Sequence, residues 1–388
     1  MGREWYRLLG RGGSRRPSTA HLSDSKESTQ RGAVIWSGTP RKTVFMLGAG
    51  ATRGAFSHVR VNGKKICAPL NGDFFNVVES FVRAHGNSGG FATRYERVRK
   101  VFREEFPTRG RWPIPMEEGF SLLYVSKDFP EIYVPSRGRH RQPGSRREIE
   151  DFLRLTFGIL SAIESRVDHS NLYARLVSHL SPGDTILTLN YDTLLDSALL
   201  NAGWNPDKGY GLIGGSNKIH WTRPKPEPST SLANVKLLKL HGSLNWYVRG
   251  SFNNLAEVFE KKPSKIIVSE RPRVNEFAHF VRQIAPPIYG KFFGHKHWRT
   301  LWATAHNTLL HAEVFVIIGC SLVDTDFHLS GMLSHAVKTR KSEHKPFAQV
   351  VVVDRTRVRR KWLRLLKGCM LAKCQYSSFE KFAHGHLK

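Results

Sequence analysis

Thr43-Val-Phe-Met-Leu47, followed at once by Gly48-Ala-Gly50-Ala-Thr52, is the stretch that decides the fold of this chain. A short apolar run of strand character that passes straight into a glycine turn reads as the first βα unit of a nucleotide-binding sheet. Gly48 and Gly50 allow a tight turn and let backbone N–H groups come close to an anion at a helix N-terminus. The next glycine, Gly54, stands one position late for the dehydrogenase fingerprint, so a plain strand-to-helix turn stays open as the alternative.

Outward from this unit the pattern repeats. Apolar runs return at Thr185–Leu189, Val235–Leu240, Lys265–Val268, Val314–Ile318 and Gln349–Val353, mostly continuous, as expected of strands buried on both faces of a parallel sheet. Helical periodicity separates several of them, at Asp192–Ala202, Lys296–His311 and Asp326–Lys338. Alternation of this kind predicts an α/β protein with a doubly wound, Rossmann-like parallel sheet. Phe74 to Leu180 carries helical patterns, among them Phe74–Arg83, Tyr95–Phe106 and Arg147–Ser165, and reads as a helical insertion. Residues 1–42, rich in Arg, Ser and Gly, read as a flexible basic leader, residues 43–354 as the main domain, and residues 355–388 as a basic helix and tail.

Composition narrows the class. No stretch approaches the 18 or so apolar residues of a membrane span, no secretory signal precedes the first strand, and four scattered cysteines do not make a disulfide framework, so a cytoplasmic protein is expected. Lys and Arg number 60 against 32 Asp and Glu, a formal charge of +28, which would draw in nucleic acid, anionic lipid or dinucleotides without saying which. A well-solvated surface is the plain alternative. Arg137–Arg147 and Arg355–Lys367 are the candidate contacts for nucleic acid.

In an open parallel sheet, ligands sit beyond the carboxyl ends of the strands. Four polar segments fall at such ends: Gly48–Thr52, Asn190-Tyr-Asp192, His241-Gly-Ser243, and Gly319-Cys-Ser321 with Asp324 and Asp326 after it. Asn190 or Asp192 would also serve as a helix cap, and His241 as a structural histidine. Imidazole side chains can take up a proton near neutral pH, so His241 is also a candidate proton acceptor.

Taken in order, Gly48-Ala-Gly50-Ala-Thr52, Asn190-Tyr-Asp192, Lys239-Leu-His241-Gly-Ser and Ile318-Gly-Cys-Ser321-Leu resemble the motifs of the sirtuin-like domain family. The resemblance covers about Thr43 to Asp354. It is closest to the sirtuin-like NAD hydrolases of bacterial anti-phage defence, through Pro69-Leu-Asn-Gly-Asp-Phe-Phe75, the Asn-Tyr-Asp form and the Leu301-Trp302 helix. It implies NAD as substrate and cleavage of the nicotinamide–ribose bond, with Asn190 and His241 catalytic. Gly48, Ala49, Gly50 and Thr52 would cradle pyrophosphate, Asp192 would hold the carboxamide edge or orient its loop, and Gly319 and Ser321 would meet the adenosine side. The partners it implies are a second copy of the chain or a defence protein such as an ATPase or an Argonaute-like protein.

Two departures separate the chain from protein deacylases. It has no cysteine between His241 and Gly319, where those enzymes carry a tetrathiolate zinc module, and Arg53-Gly-Ala-Phe56 stands where they have Ile-Pro-Asp-Phe-Arg. No metal is expected. Cys369, Cys374, His384 and His386 make a weak zinc pattern whose His-x-His spacing is too short. A nucleic-acid- or partner-binding regulator, and less favoured a deacylase or ADP-ribosyltransferase, remain as other readings.

Overall fold

The computed structural model describes residues 41–86, 90–106, 112–129, 146–168, 171–212, 218–220, 227–249, 266–269, 280–289, 296–323 and 326–387. The basic leader up to residue 40, the segment 130–145 that holds most of Arg137–Arg147, and Asp324 lie outside them.

Six parallel strands form the central sheet: β1 (Thr43–Leu47), β2 (Thr185–Thr188), β3 (Lys236–Lys239), β4 (Val314–Ile318), β5 (Phe347–Val353) and β6 (Met370–Tyr376). Their order in the sheet is β6-β5-β4-β1-β2-β3. The chain therefore winds outward from β1 through β2 to β3, returns to the other side of β1 as β4, and winds outward again. That reversal opens a crevice between the carboxyl ends of β1 and β4. The α/β, doubly wound expectation is met, and β1, β4 and most of β5 are fully buried, as their unbroken Val, Ile and Phe runs require.

Twelve helices can be followed through the described residues: α1 (Ala49–Ala55), α2 (Phe74–His85), α3 (Phe91–Glu105), α4 (Met116–Asp128), α5 (Arg146–Glu164), α6 (Leu172–Val177), α7 (Leu194–Asn201), α8 (Pro206–Gly209), α9 (Lys296–His311), α10 (Phe327–Ser342), α11 (Thr356–Leu365) and α12 (Phe379–His386). Helices α2 to α6 lie between β1 and β2 in the chain, where the insertion was expected. An aromatic core holds them together: Phe120 stacks on Phe152 at 3.8 Å, and Phe75 packs on both Phe152 and Trp112. Helix α4, without a clear sequence signal, completes this core through Phe120 and Leu123.

The structure departs from the sequence reading at two places. The run expected at Lys265–Val268 is not in the parallel sheet. It forms Ile266–Ser269 of a separate four-stranded mixed sheet, antiparallel to Gly242–Arg249 and parallel to Lys218–His220. The chain leaves the main sheet directly after β3, at Gly242 with φ of 83°, and the strand that starts there is the one Ile266–Ser269 pairs with. An apolar run records burial but not the sheet that buries it. The second departure is the C-terminal tail, which is built into the fold. Strand β6 pairs with β5 from Phe347↔Met370 to Val353↔Tyr376, and α12 buries Phe379, Phe382, Ala383 and Leu387 against α1 and α6. Exposed Leu371, Ala372 and Lys373 hid β6, because an edge strand lacks the apolar run of an inner one.

Phe382→Ala is expected to cost about 3–5 kcal/mol, the usual toll of emptying a buried aromatic site. Chemical denaturation of the pure protein checks this; a cost near zero would mean that the tail adds nothing to the core.

Candidate functional site

Strand register alone gathers the predicted residues. Leu47 of β1 pairs with Thr188 of β2 and Ile318 of β4, while Thr188 pairs with Lys239 of β3. Gly48 and Gly319 are thus one residue past a common level of the sheet, and Asn190 and His241 two residues past it. Ile318 in turn pairs with Val353, and Val353 with Tyr376, which adds Asp354 and Ser377 to the same rim. Gly48, Ala49, Gly50, Thr52, Asn190, Asp192, His241, Gly319 and Ser321 all line one cleft of ≈ 820 Å³. That volume is in the range of small-molecule and cofactor sites, roughly 300–1,000 Å³.

The glycines are required by contact between two backbones. A Cβ on Gly48 would lie 2.6 Å from the carbonyl oxygen of Gly319, and one on Gly50 would lie 2.8 Å from both Cα and O of Gly319. Gly319 itself has φ of 59°, and its Cβ would fall 2.0 Å from the nitrogen of Ala51. The N–H groups of Gly48 and Gly50 donate to the carbonyls of Ile318 and Gly319, and that of Ala51 donates to Gly48. Much of the glycine turn's donor capacity therefore locks β1 to β4, so any anion would be met by the rest of the first turn of α1.

Asn190 is held in one orientation. Its Nδ2 donates to the carbonyl of Gly48 and to Oγ1 of Thr52, both at 2.9 Å. The Gly48 carbonyl only accepts, so this edge of the amide is nitrogen. Both amide protons are used, and Oδ1 remains as an acceptor. Thr52 Oγ1 in turn donates to Oδ2 of Asp192 at 2.6 Å and lies 2.9 Å from the Tyr173 hydroxyl. With its own proton given to Asp192, Thr52 accepts from both Asn190 and Tyr173. Burial, reinforced by the Asp192 charge, pushes the Tyr173 phenol well above its ordinary value and keeps it a donor.

Asp192 faces inward. Oδ2 takes the Thr52 hydroxyl and Oδ1 takes the N–H of Leu194 at 3.3 Å, which opens α7. Burial raises its pKa, while Lys239 and the Thr52 bond pull it down. Of the two roles implied for it, orienting the loop is the one its contacts carry. Lys239 donates to the carbonyl of Asp192 at 2.5 Å and to Oδ2 of Asp196 at 2.8 Å, a fully buried ion pair. Tyr210 completes the Asp196 carboxylate.

His241 stands at the corner where the chain leaves β3, its carbonyl pinned by the N–H of Ala285 at 2.8 Å. Its Nε2 lies 2.9 Å from Oδ2 of Asp326, and both side chains are nearly out of solvent, at 8% and 1% exposure. Asp326 is also the N-cap of α10, its Oδ1 accepting from Leu329 at 3.1 Å. The carboxylate that caps one helix therefore also lies against the histidine of another loop. Sequence reading noted Asp326 as polar but gave it no partner, since the two residues meet only across the sheet.

The insertion supplies the opposite wall. Arg53 makes a two-pronged ion pair with Asp73, at 2.6 and 2.9 Å, and its Nε donates to Ala68. The departure at Arg53-Gly-Ala-Phe56 and the segment Pro69–Phe75 are thus one unit, joined by this pair. The weak zinc pattern near the C-terminus has its side chains engaged elsewhere: Cys374 with Gln349, His386 with Tyr376 and His384 with the carbonyl of Glu380.

Thr52→Val keeps the shape but removes the hydroxyl that Asn190, Asp192 and Tyr173 share. Leaving such buried groups without a partner is expected to cost about 1–3 kcal/mol. Thr52→Ser should recover most of the loss in thermal unfolding; equal melting temperatures for all three proteins would show that the network contributes nothing.

Residues 184–367 match a family model described as a SIR2-like domain. No curated protein matches the chain. Among solved structures, a Sir2 enzyme from work on the mechanism and regulation of such enzymes aligns over 90% of this chain and 91% of its own, at 14% identity and a TM-score of 0.36. A Sir2 homolog in complex with NAD aligns over 66% of this chain and 82% of its own, at 11% identity and a TM-score of 0.32. Likeness at these scores adds nothing to what the strand register shows. The family match takes in Asn190, Asp192, His241, Gly319, Ser321 and Asp326 and stops short of β6. Over residues 184–367, then, the chain is similar to the SIR2-like domain family.

Proposed function

We propose that this chain binds NAD in the cleft and hydrolyses its nicotinamide–ribose bond, giving nicotinamide and ADP-ribose. The observation that carries the reading is the placement of a fixed acceptor, Asn190 Oδ1, and a carboxylate-paired histidine, His241, beside the β1–β4 glycine contact in one cleft. Nicotinamide leaves neutral, so the reaction needs no acid at the leaving group. It needs an anchored ribose, a placed water and somewhere for a proton to go.

Each group then has a task. Asn190 Oδ1 accepts from a ribose hydroxyl or from the attacking water and sets its direction. His241 takes the proton that water loses as its oxygen bonds to the ribose carbon, and Asp326 stabilises the imidazolium so formed. Ala49, with Gly48, Gly50 and Thr52, borders the pyrophosphate. Ser321 and Gly319 border the adenosine side, where Asp354 at the end of β5 adds a carboxylate suited to ribose hydroxyls. Asp192, through Thr52, fixes Asn190.

The resemblance to defence NAD hydrolases supports a role as an NAD-depleting effector, working in an assembly with itself or with a partner protein in the cytoplasm. Deacylation and ADP-ribosyl transfer are less favoured, because no cysteine lies between His241 and Gly319 to build the zinc module of those enzymes.

Purified protein mixed with NAD is expected to release nicotinamide without an acyl-peptide, and prolonged dialysis against a chelator should leave the rate unchanged. His241→Ala should lose about 10²–10⁴ in rate, the usual contribution of a general base. Asn190→Ala should be comparably poor and Asp326→Asn intermediate, with melting temperatures close to wild type. Turnover at the wild-type rate in His241→Ala or Asn190→Ala would remove that residue from the mechanism, and release only with acyl-peptide would favour the deacylase.

A further inference from the structure

From Arg355 to Phe379 the chain has no acidic residue, yet it holds Arg355, Arg357, Arg359, Arg360, Lys361, Arg364, Lys367 and Lys373. Most of these lie on α11, whose orientation is fixed by its apolar side. Trp362 is fully buried, donates its indole N–H to the carbonyl of Cys320 at 2.6 Å, and meets Phe315 edge to face. Val358 and Leu366 are buried beside it. With that side committed to the core, Arg357, Arg360, Arg364 and Lys367 are exposed. The spacing of three and four residues sets Arg357, Arg360 and Arg364 in one stripe, about 10 Å long at 1.5 Å per residue, and Lys367 follows in the turn just past the helix. Lys341 of α10 lies next to Gly368 and prolongs the stripe beyond Lys367.

No ion pair among the described residues neutralises the four. The flanking carboxylates are engaged elsewhere: Asp354 accepts from the N–H of Arg355, and Glu343 pairs with Lys345. The arrangement also works against the helix. Its first turn has no acidic residue and carries Arg357, with Arg355 as N-cap, so cations face the positive end of the helix dipole. Like charges three and four residues apart add further repulsion. A face that only needed solvation would be served better by mixed charge, whereas a polyanion relieves both strains.

We propose that the outer face of α11 is a docking surface for the phosphate backbone of duplex nucleic acid, bound without regard to sequence. Phosphodiester suits a stripe in which arginine predominates, since the guanidinium fork matches phosphate oxygens. A membrane is the poorer occupant, because a surface helix binds lipid through a free apolar face and this one has buried its own. The stripe spans several phosphates of a duplex, and the +28 charge of the chain steers such a partner inward. This surface stands independently of the NAD reading.

The test is fluorescence anisotropy of a labelled DNA duplex of about 20 base pairs with the full-length protein, between about 50 and 200 mM salt. The quadruple variant Arg357→Gln/Arg360→Gln/Arg364→Gln/Lys367→Gln should bind at least about tenfold more weakly at the low-salt end. Its log–log salt slope should be shallower by about 3 to 4, one counterion's worth for each lost contact. A control variant, Arg60→Gln/Lys64→Gln/Lys65→Gln, neutralises an exposed hairpin elsewhere and should bind as wild type. Nicotinamide release should be unchanged in the quadruple variant, as none of its four positions borders the cleft. Unchanged affinity and slope in the quadruple variant would overturn the proposal. So would an equal loss in the control, which would mean diffuse attraction. Loss of binding to phosphatidylserine vesicles with duplex binding intact would also overturn it, assigning the stripe to a membrane.

Discussion

The cleft depends on the approach of two backbones, the turn after β1 and the turn after β4. Gly48, Gly50 and Gly319 leave no room for a Cβ between them, and the bonds Gly48 N–H to Ile318 and Gly50 N–H to Gly319 close the seam. Because β1 and β4 meet where the winding of the sheet reverses, this seam is also the floor of the crevice. Everything placed around it, from Asn190 to Asp354, inherits its position from parallel strands whose register is fixed relative to that contact.

Above the floor the controlling element is a single hydroxyl. Thr52 collects Asn190 and Asp192 from the loop after β2 and Tyr173 from α6, and each of these partners is buried. Burial makes such a network strongly directional, since an unmet donor or acceptor there is costly. The Lys239–Asp196 pair below it carries the Asp192 carbonyl, so an apolar-looking strand and an amphipathic helix are tied together by charge directly beneath the site.

Much of this was legible in the sequence, for identifiable reasons. Unbroken apolar runs at β1, β4 and β5 gave inner strands, and polar residues directly after such runs gave the rim. What escaped was whatever depended on distant pairing. Asp326 reads only as a polar residue beyond a strand end and becomes the partner of His241 only through the fold. Strand β6, with its exposed side chains, carries no pattern that distinguishes it from a loop, and Ile266–Ser269 carries an inner-strand pattern in a different sheet. The amide orientation of Asn190 could not be read at all, because it is decided by the carbonyl of Gly48.

The seam between β1 and β4 also sets a schedule. Thr43 must find Val314, and the first helix must find the last one at Phe379–His386, so the opening βα unit emerges long before the elements that cover it exist. Until then the Phe and Met side chains of β1 have only β2 on one flank and the insertion's aromatic core nearby. Contacts of this span make for slow folding and a prolonged interval with an uncovered parallel edge. During that interval the crevice has no floor, so the cleft is a late product of folding, complete only when the strand at Val314–Ile318 has joined β1.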